Sequence, residues 1–194
     1  MIILASASPR RKQLLESAGL TIQTEAADID ESRKEGEHPI DFVQRMAREK
    51  ASCVAQNYKH TNNHIIAADT IVVHAGEILG KPHDKEDAHR MLSLLSGDVH
   101  SVYTGVCVID MSSSRELVFF TETAVHFTTL TEAQIAWYIG TGEPMDKAGS
   151  YGIQGKAARF VKEIRGSYTN VVGLPLCETL EALEKLGFSL SEHQ

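Results

Sequence analysis

Hydrophobic positions along this chain fall into short unbroken runs and into stripes at helical spacing. The most continuous run is Ile65-Ile66-Ala67-Ala68-Asp69-Thr70-Ile71-Val72-Val73. Its Ile and Val content predicts a strand buried on both faces. Ile2-Ile3-Leu4 predicts a shorter buried strand, and Thr21 to Ala26 is a candidate for another. His100 to Ile109 and Leu117 to Thr128 alternate like paired strands joined by the Ser112-Ser113-Ser114 loop. Ala158 to Ile164 reads as a further strand with Arg165-Gly166-Ser167 as its turn, and Ala75-Gly76 as a turn between extended segments.

Helices interleave with these strands. Ser8 suits an N-cap, Pro9 the first helical position and Gly19 the residue after the end, which predicts a helix between them. Pro39 opens a second helix to about Gln56, with Ile40, Val43, Ala47, Ala51 and Val54 as its apolar stripe. Asp84 to Leu95 is amphipathic and stops at Gly97. Thr131-Glu132-Ala133-Gln134 is a capping box for a helix through Ile139, and Pro175 opens a last helix ending at Gly187. The residues after that helix read as frayed. This mixed order implies an α/β or α+β fold, a central mixed and twisted sheet flanked by helices, within one domain.

Composition narrows the function classes. The 194 residues carry a net charge of −7, which argues against general affinity for DNA, RNA or an anionic membrane. No run approaches a membrane span. Cys53, Cys107 and Cys177 are far apart and without metal-ligand spacing, so reduced packing residues are expected. The opening Met1-Ile2-Ile3-Leu4-Ala5 lacks the basic flank and length of a secretory signal. The expectation is a cytoplasmic protein.

The candidate chemistry starts with Asp69, a carboxylate inside an otherwise apolar strand. Unpaired it would cost several kcal/mol or take up a proton, so it needs cations, a metal or hydrogen-bond donors around it. Backbone amides could supply those donors; so could a reactive site at the mouth of the sheet. Arg10 and Arg11 stand in the first turn of the first helix, where cations oppose the helix dipole unless an anion sits there. Lys50 flanks an apolar stripe and could either snorkel to water or serve a site. Arg45 and Glu49 form an i,i+4 pair that needs no function. Lys81 is held extended before Pro82. Asp28-Ile29-Asp30-Glu31 is an acidic loop, solvated or able to hold a divalent cation through oxygen. The segment from Asp146 to Gly155, with three glycines, reads equally as a ligand loop or a structural turn. Carboxylates with Arg and Lys from separate segments suit a nucleoside triphosphate and a metal. There is no GxxxxGK[ST] and no kinase motif set.

Taken together, Ser6-Ala7-Ser8-Pro9-Arg10-Arg11, Arg48-Glu49-Lys50-Ala51, Ala68-Asp69-Thr70, Leu79-Gly80-Lys81-Pro82, the segment from Asp146 to Gly155, and Val172-Gly173-Leu174-Pro175 resemble the Maf family of nucleotide pyrophosphatases, also known as septum formation inhibitors. The likeness runs nearly to Gly187. One departure is Ala67, where the family often has Gly. The resemblance implies a Maf/ITPase-like fold with an active-site cleft between two lobes, and cleavage of a nucleoside triphosphate between its α and β phosphates. It assigns Asp69 as general base and Ser6, Arg11, Lys50 and Lys81, with Arg10 beside them, as the phosphate set. Glu31 and Asp69 become ligands of Mg²⁺ or Mn²⁺. Substrate sorting falls on Arg10, Thr70 and Gln154. Members selective for 7-methyl-GTP tend to carry a bulky aromatic between Pro and Arg-Arg. Here Pro9 meets Arg10 directly, with Thr70 and Gln154 in place, which resembles the dTTP/UTP branch. A role in cell division and a homodimer are left open by the resemblance.

Two rivals come from other classes. A non-enzymatic regulator of cell division that binds nucleotide gains nothing from a buried carboxylate beside phosphates. A nucleic-acid module is disfavoured by the net charge. Within the cation cluster, like charges are expected to repel, so removing Arg11, Lys50 or Lys81 should cost little stability.

Overall fold

The computed structural model describes residues 1–59 and 61–189. The strands are β1 (Ile2–Leu4), β2 (Ile22–Thr24), β3 (His64–His74), β4 (Glu77–Leu79), β5 (Val99–Asp110), β6 (Arg115–Phe127) and β7 (Val161–Arg165). The helices are α1 (Pro9–Ser17), α2 (Pro39–Ala55), α3 (Lys85–Leu95), α4 (Glu132–Gly140), α5 (Tyr168–Val172) and α6 (Leu176–Lys185). The sheet runs β2-β1-β3-β5-β6-β7, with β4 added on β3. β1 is parallel to both β2 and β3, while β3–β4 and β6–β7 are antiparallel, so the sheet is mixed as expected. The chain forms two compact units.

The first unit comprises Met1–Asp69, Thr104–Thr121 and the chain from Gly173 onward. Its strands explain the unbroken apolar runs. Ile2, Leu4, Ile66, Ala68, Val106 and Val108 pack with Leu15 of α1 and with Ala182 and Leu183 of α6. Their alternate neighbours Ile3, Ile65, Ala67 and Cys107 pack with Ala47, Ala51 and Val54 of α2. With period-2 side chains, a sheet covered on both faces has no polar side to alternate with. Gly105 of β5 is required by this packing, because a Cβ there would collide with the backbone at Val43 O of α2.

The second unit comprises Thr70–Tyr103 and Glu122–Val172. Ala75 and Gly76 both have positive φ, 48° and 83°, the backbone of a tight two-residue hairpin turn between β3 and β4. Asp84 caps α3 by accepting from the Asp87 amide at 2.7 Å. The Thr131/Gln134 capping box at the start of α4 is formed in both directions. Between α4 and β7 lie three short 3₁₀ stretches, Glu143–Asp146, Ala148–Ser150 and Lys156–Phe160.

Three expectations are revised. β2 is limited to three residues. β7 begins at Val161 instead of Ala158, since Ala157 and Phe160 are buried from a 3₁₀ turn before the strand pairs with β6. α5 has no counterpart in the sequence reading; the Ser167 hydroxyl accepts from the Asn170 amide at 3.2 Å where it starts. The frayed end beyond Ser189 lies outside the described residues. Among the described residues, no helix is long and apolar enough to cross a membrane.

Candidate active site

Ser6 lies two residues past the end of β1 and is buried. Ser8 occupies the N-cap position of α1 but makes no side-chain capping bond; its own amide donates to Ser6 Oγ at 3.2 Å. Arg11, on the first turn of α1, donates from Nη1 to Ser6 Oγ at 3.1 Å and from Nε to the Gly173 carbonyl at 2.7 Å. Gly173 has φ 126°, a backbone region open to glycine, and this turn aims its carbonyl at the guanidinium. The Val-Gly-Leu-Pro segment therefore fixes an arginine 162 residues away. Burial disfavours the Arg11 charge, Asp69 sustains it, Arg10 opposes it, and Glu31 sustains it in turn.

Lys50 lies on the buried face of α2. Its Nζ donates to Asp69 Oδ1 at 2.7 Å and meets Glu31 Oε1 at 2.9 Å. The side chains of Lys50 and Asp69 are 10% and 14% exposed, so this contact is largely shielded from water, whereas Glu31 is 56% exposed. Asp69 thus answers its burial with a lysine. The snorkelling alternative for Lys50 is not what the structure has, and Lys50 stands in an ion pair, while Arg10 and Arg11 repel as expected. A paired lysine is held by its carboxylates.

Arg45 does more than pair with Glu49. Its guanidinium grips both Glu37 oxygens, at 2.6 and 2.8 Å, and donates to the Ser32 carbonyl at 3.1 Å. It ties the acidic loop to α2 on the N-terminal side of Lys50, and that loop delivers Glu31. Nothing in the sequence singled out Glu37. Asp28 and Asp30 do not join the cluster; Asp30 accepts from the Ser32 amide at 2.9 Å. In this unit the structure brings together Ser6, Arg11, Glu31, Lys50 and Asp69, with Arg10 partly buried beside Arg11. Asp69 and Glu31 are the oxygen donors that could hold a cation.

Thr70, Lys81 and Gln154 belong to the second unit. Thr70 is partly buried, while Lys81 and Gln154 are exposed. Lys81 stands between Pro82, which is buried, and Gly80, whose carbonyl accepts the Gly149 amide at 3.0 Å. That bond joins two of the glycine-bearing motifs. Gln154 is the third residue of a turn closed by Gly155 N–H to Gly152 O at 3.0 Å.

Both the fold and the sequence have counterparts among known proteins. The solved structure of the Ham1 protein of Staphylococcus aureus superposes with a TM-score of 0.52, covering 95% of this chain and 97% of that one. At 12% identity the likeness is one of fold alone. A dTTP/UTP pyrophosphatase of Anaeromyxobacter dehalogenans is 51% identical over all of this chain and 97% of its own. Those of a Geobacillus species and of Geobacter sulfurreducens are each 52% identical over 96% of this chain, and over 98% and 96% of their own lengths. The profile of the Maf-like protein family matches residues 1–186, a span that takes in every residue of the cluster around Asp69. With that profile matched and relatives above half identity, this chain belongs to the Maf family.

Proposed function

We propose that this chain hydrolyses dTTP and UTP between the α and β phosphates, releasing the nucleoside monophosphate and pyrophosphate. The observation that carries the reading is the contact of Asp69 with Lys50, beside Glu31 and Arg11. A carboxylate held next to fixed cations can accept a proton from water while those cations take up the charge of a polyphosphate. The names of the relatives support the bond and the bases.

In this mechanism Asp69 removes a proton from water as the water oxygen bonds to phosphorus. The anhydride P–O bond breaks, and pyrophosphate leaves with the electron pair. Arg11, Lys50 and Lys81 neutralise the phosphates and Ser6 hydrogen-bonds to them. Lys50 divides one charge between two carboxylates; phosphate oxygens compete for it, which loosens its hold on Asp69. Arg10 and Thr70 sort substrates with Gln154, whose amide offers an acceptor and donors to the N3–H and carbonyl of uracil or thymine. Cytosine reverses that pattern, leaving buried polar groups unmade at about 1–3 kcal/mol each.

The donor set fits a hard divalent cation. Asp69 Oδ1 and Glu31 Oε1 already hold one cationic group in common, and Mg²⁺ characteristically takes one or two carboxylates and completes its shell with phosphate oxygens and water. Glu31 and Asp69 would hold Mg²⁺ or Mn²⁺, which when bound supplies further neutralisation of the phosphate oxygens. The reading places the protein in the cytoplasm, with its three cysteines free.

The test is Asp69→Asn, which keeps the side chain's shape. Turnover of UTP should fall by about 10²–10⁴, with the fold unchanged by circular dichroism and nucleotide still bound in titration calorimetry. Near-wild-type turnover would overturn the assignment.

A further inference from the structure

The turn that carries Gln154 is clamped at both ends by one pair of side chains the reaction does not use. Tyr138, on α4, is fully buried, and its ring packs edge-on against Phe160 at 5.4 Å. Its hydroxyl accepts the Gly152 amide at 3.2 Å and donates to Glu143 Oε1 at 3.0 Å. Glu143 in turn accepts the Lys156 amide on both oxygens, at 3.0 and 3.1 Å. Gly152 opens the turn and Lys156 follows it, so one hydrogen-bonded pair fixes the backbone before and after Gln154. The fit is tight: a Cβ on Gly155 would fall inside the Glu143 carboxylate. Lys147 Nζ donates to the Glu143 carbonyl at 2.7 Å, holding the carboxylate's own backbone in place. Ile153 is buried next to Gln154, which leaves the exposed amide as the part of the turn free to meet a ligand.

We infer that Tyr138 and Glu143 are positioning residues for base selection, acting through Gln154. The inference rests on the proposed reading of Gln154 as the group that meets the pyrimidine. An amide discriminates between uracil and cytosine only if its acceptor and donors are held in register, because a loose amide can rotate to suit either base. A purely structural role would lower stability or overall turnover without touching the ratio between bases.

Tyr138→Phe removes the hydroxyl and keeps the ring, and Gly155→Ala pushes on the same carboxylate from the other side. Each should lower the ratio of UTP to CTP specificity constants about 3- to 10-fold, the discrimination that one hydrogen bond between the Gln154 amide and the base carries. In a Gln154→Ala background, Tyr138→Phe should change that ratio no further, since the residue through which it acts is gone. A ratio unmoved by Tyr138→Phe but flattened by Gln154→Ala overturns the positioning role and leaves Gln154 standing. A ratio unmoved by Gln154→Ala overturns the reading of Gln154 itself. Thermal melting of each variant separates misfolding from both: Glu143→Gln, which retains an acceptor for the Lys156 amide, should fold and show a smaller loss of ratio than Tyr138→Phe, and an equal fall for UTP and CTP in all three variants would also overturn the inference.

Discussion

Lys50 shows how one contact changes the meaning of a residue. From its place on α2 it could have been a solvated flank; in the structure it neutralises Asp69 at 2.7 Å in a setting only about a tenth exposed. Removing it would leave the Asp69 carboxylate facing Glu31 with Arg11 as the cation that still sustains it. Lys50→Met should therefore destabilise the protein by about 1–3 kcal/mol, read as a lower urea midpoint, and adding Asp69→Asn should recover part of the loss. A Lys50→Met protein as stable as wild type would mean that the pair contributes nothing and that the cluster is better described as repelling cations.

His100 carries a second residue-scale prediction. It is 2% exposed, lies 2.8 Å from the Tyr151 hydroxyl, and stacks edge-on with Phe127 and Tyr151. Burial above all, helped by His74 and opposed by Asp98, pushes its pKa down to about 4. Between that value and the ordinary 6.5, the unfolded chain binds a proton that the folded chain refuses, so stability rises with pH across this window and is lost as pH falls through it. Urea midpoints measured from pH 7 to 4 should decline, and His100→Phe should flatten that part of the decline. An unchanged slope would place the titration elsewhere.

At the scale of elements, the site depends on how α2 meets the sheet. The helix brings Ala47, Ala51 and Val54 onto the face that also holds Ile3, Ile65 and Cys107, and Lys50 lies among its buried residues. Gly105 sets the approach, because its missing side chain is where the α2 backbone passes. Gly105→Ala should cost about 1–3 kcal/mol by overpacking and should lower turnover as well, since α2 can move only by carrying Lys50 with it. Normal turnover in a destabilised Gly105→Ala protein would separate the helix position from catalysis.

Across the whole molecule, what the sequence revealed follows from how local each cause is. The β3 run, the Ala75-Gly76 turn and both helix caps at Asp84 and Thr131 depend on neighbouring residues, and they stand where their patterns put them. The short 3₁₀ turn before Val161 has the sequence pattern of a strand because its apolar residues are buried without being extended. The partner of Arg11 lies 162 residues away and is a carbonyl, so no side-chain pattern could announce it. Lys50 and Asp69 are 19 residues apart on different elements, and the choice between a snorkelling and a paired lysine is made only by packing. Family motifs pointed to the residues around Asp69 and to the Gln154 turn; the hydrogen bonds that hold the first, through Gly173 and Glu37, and the second, through Tyr138 and Glu143, had to be seen.

The proposed selection of uracil-type triphosphates for cleavage at the α–β bond can be measured outright. Its most direct test is the set of specificity constants for UTP, dTTP, CTP and 7-methyl-GTP, measured side by side with Mg²⁺ or Mn²⁺ and with pyrophosphate identified as a product. UTP and dTTP should run well ahead of CTP, with 7-methyl-GTP poor. A clear preference for 7-methyl-GTP, or release of orthophosphate in place of pyrophosphate, would contradict it.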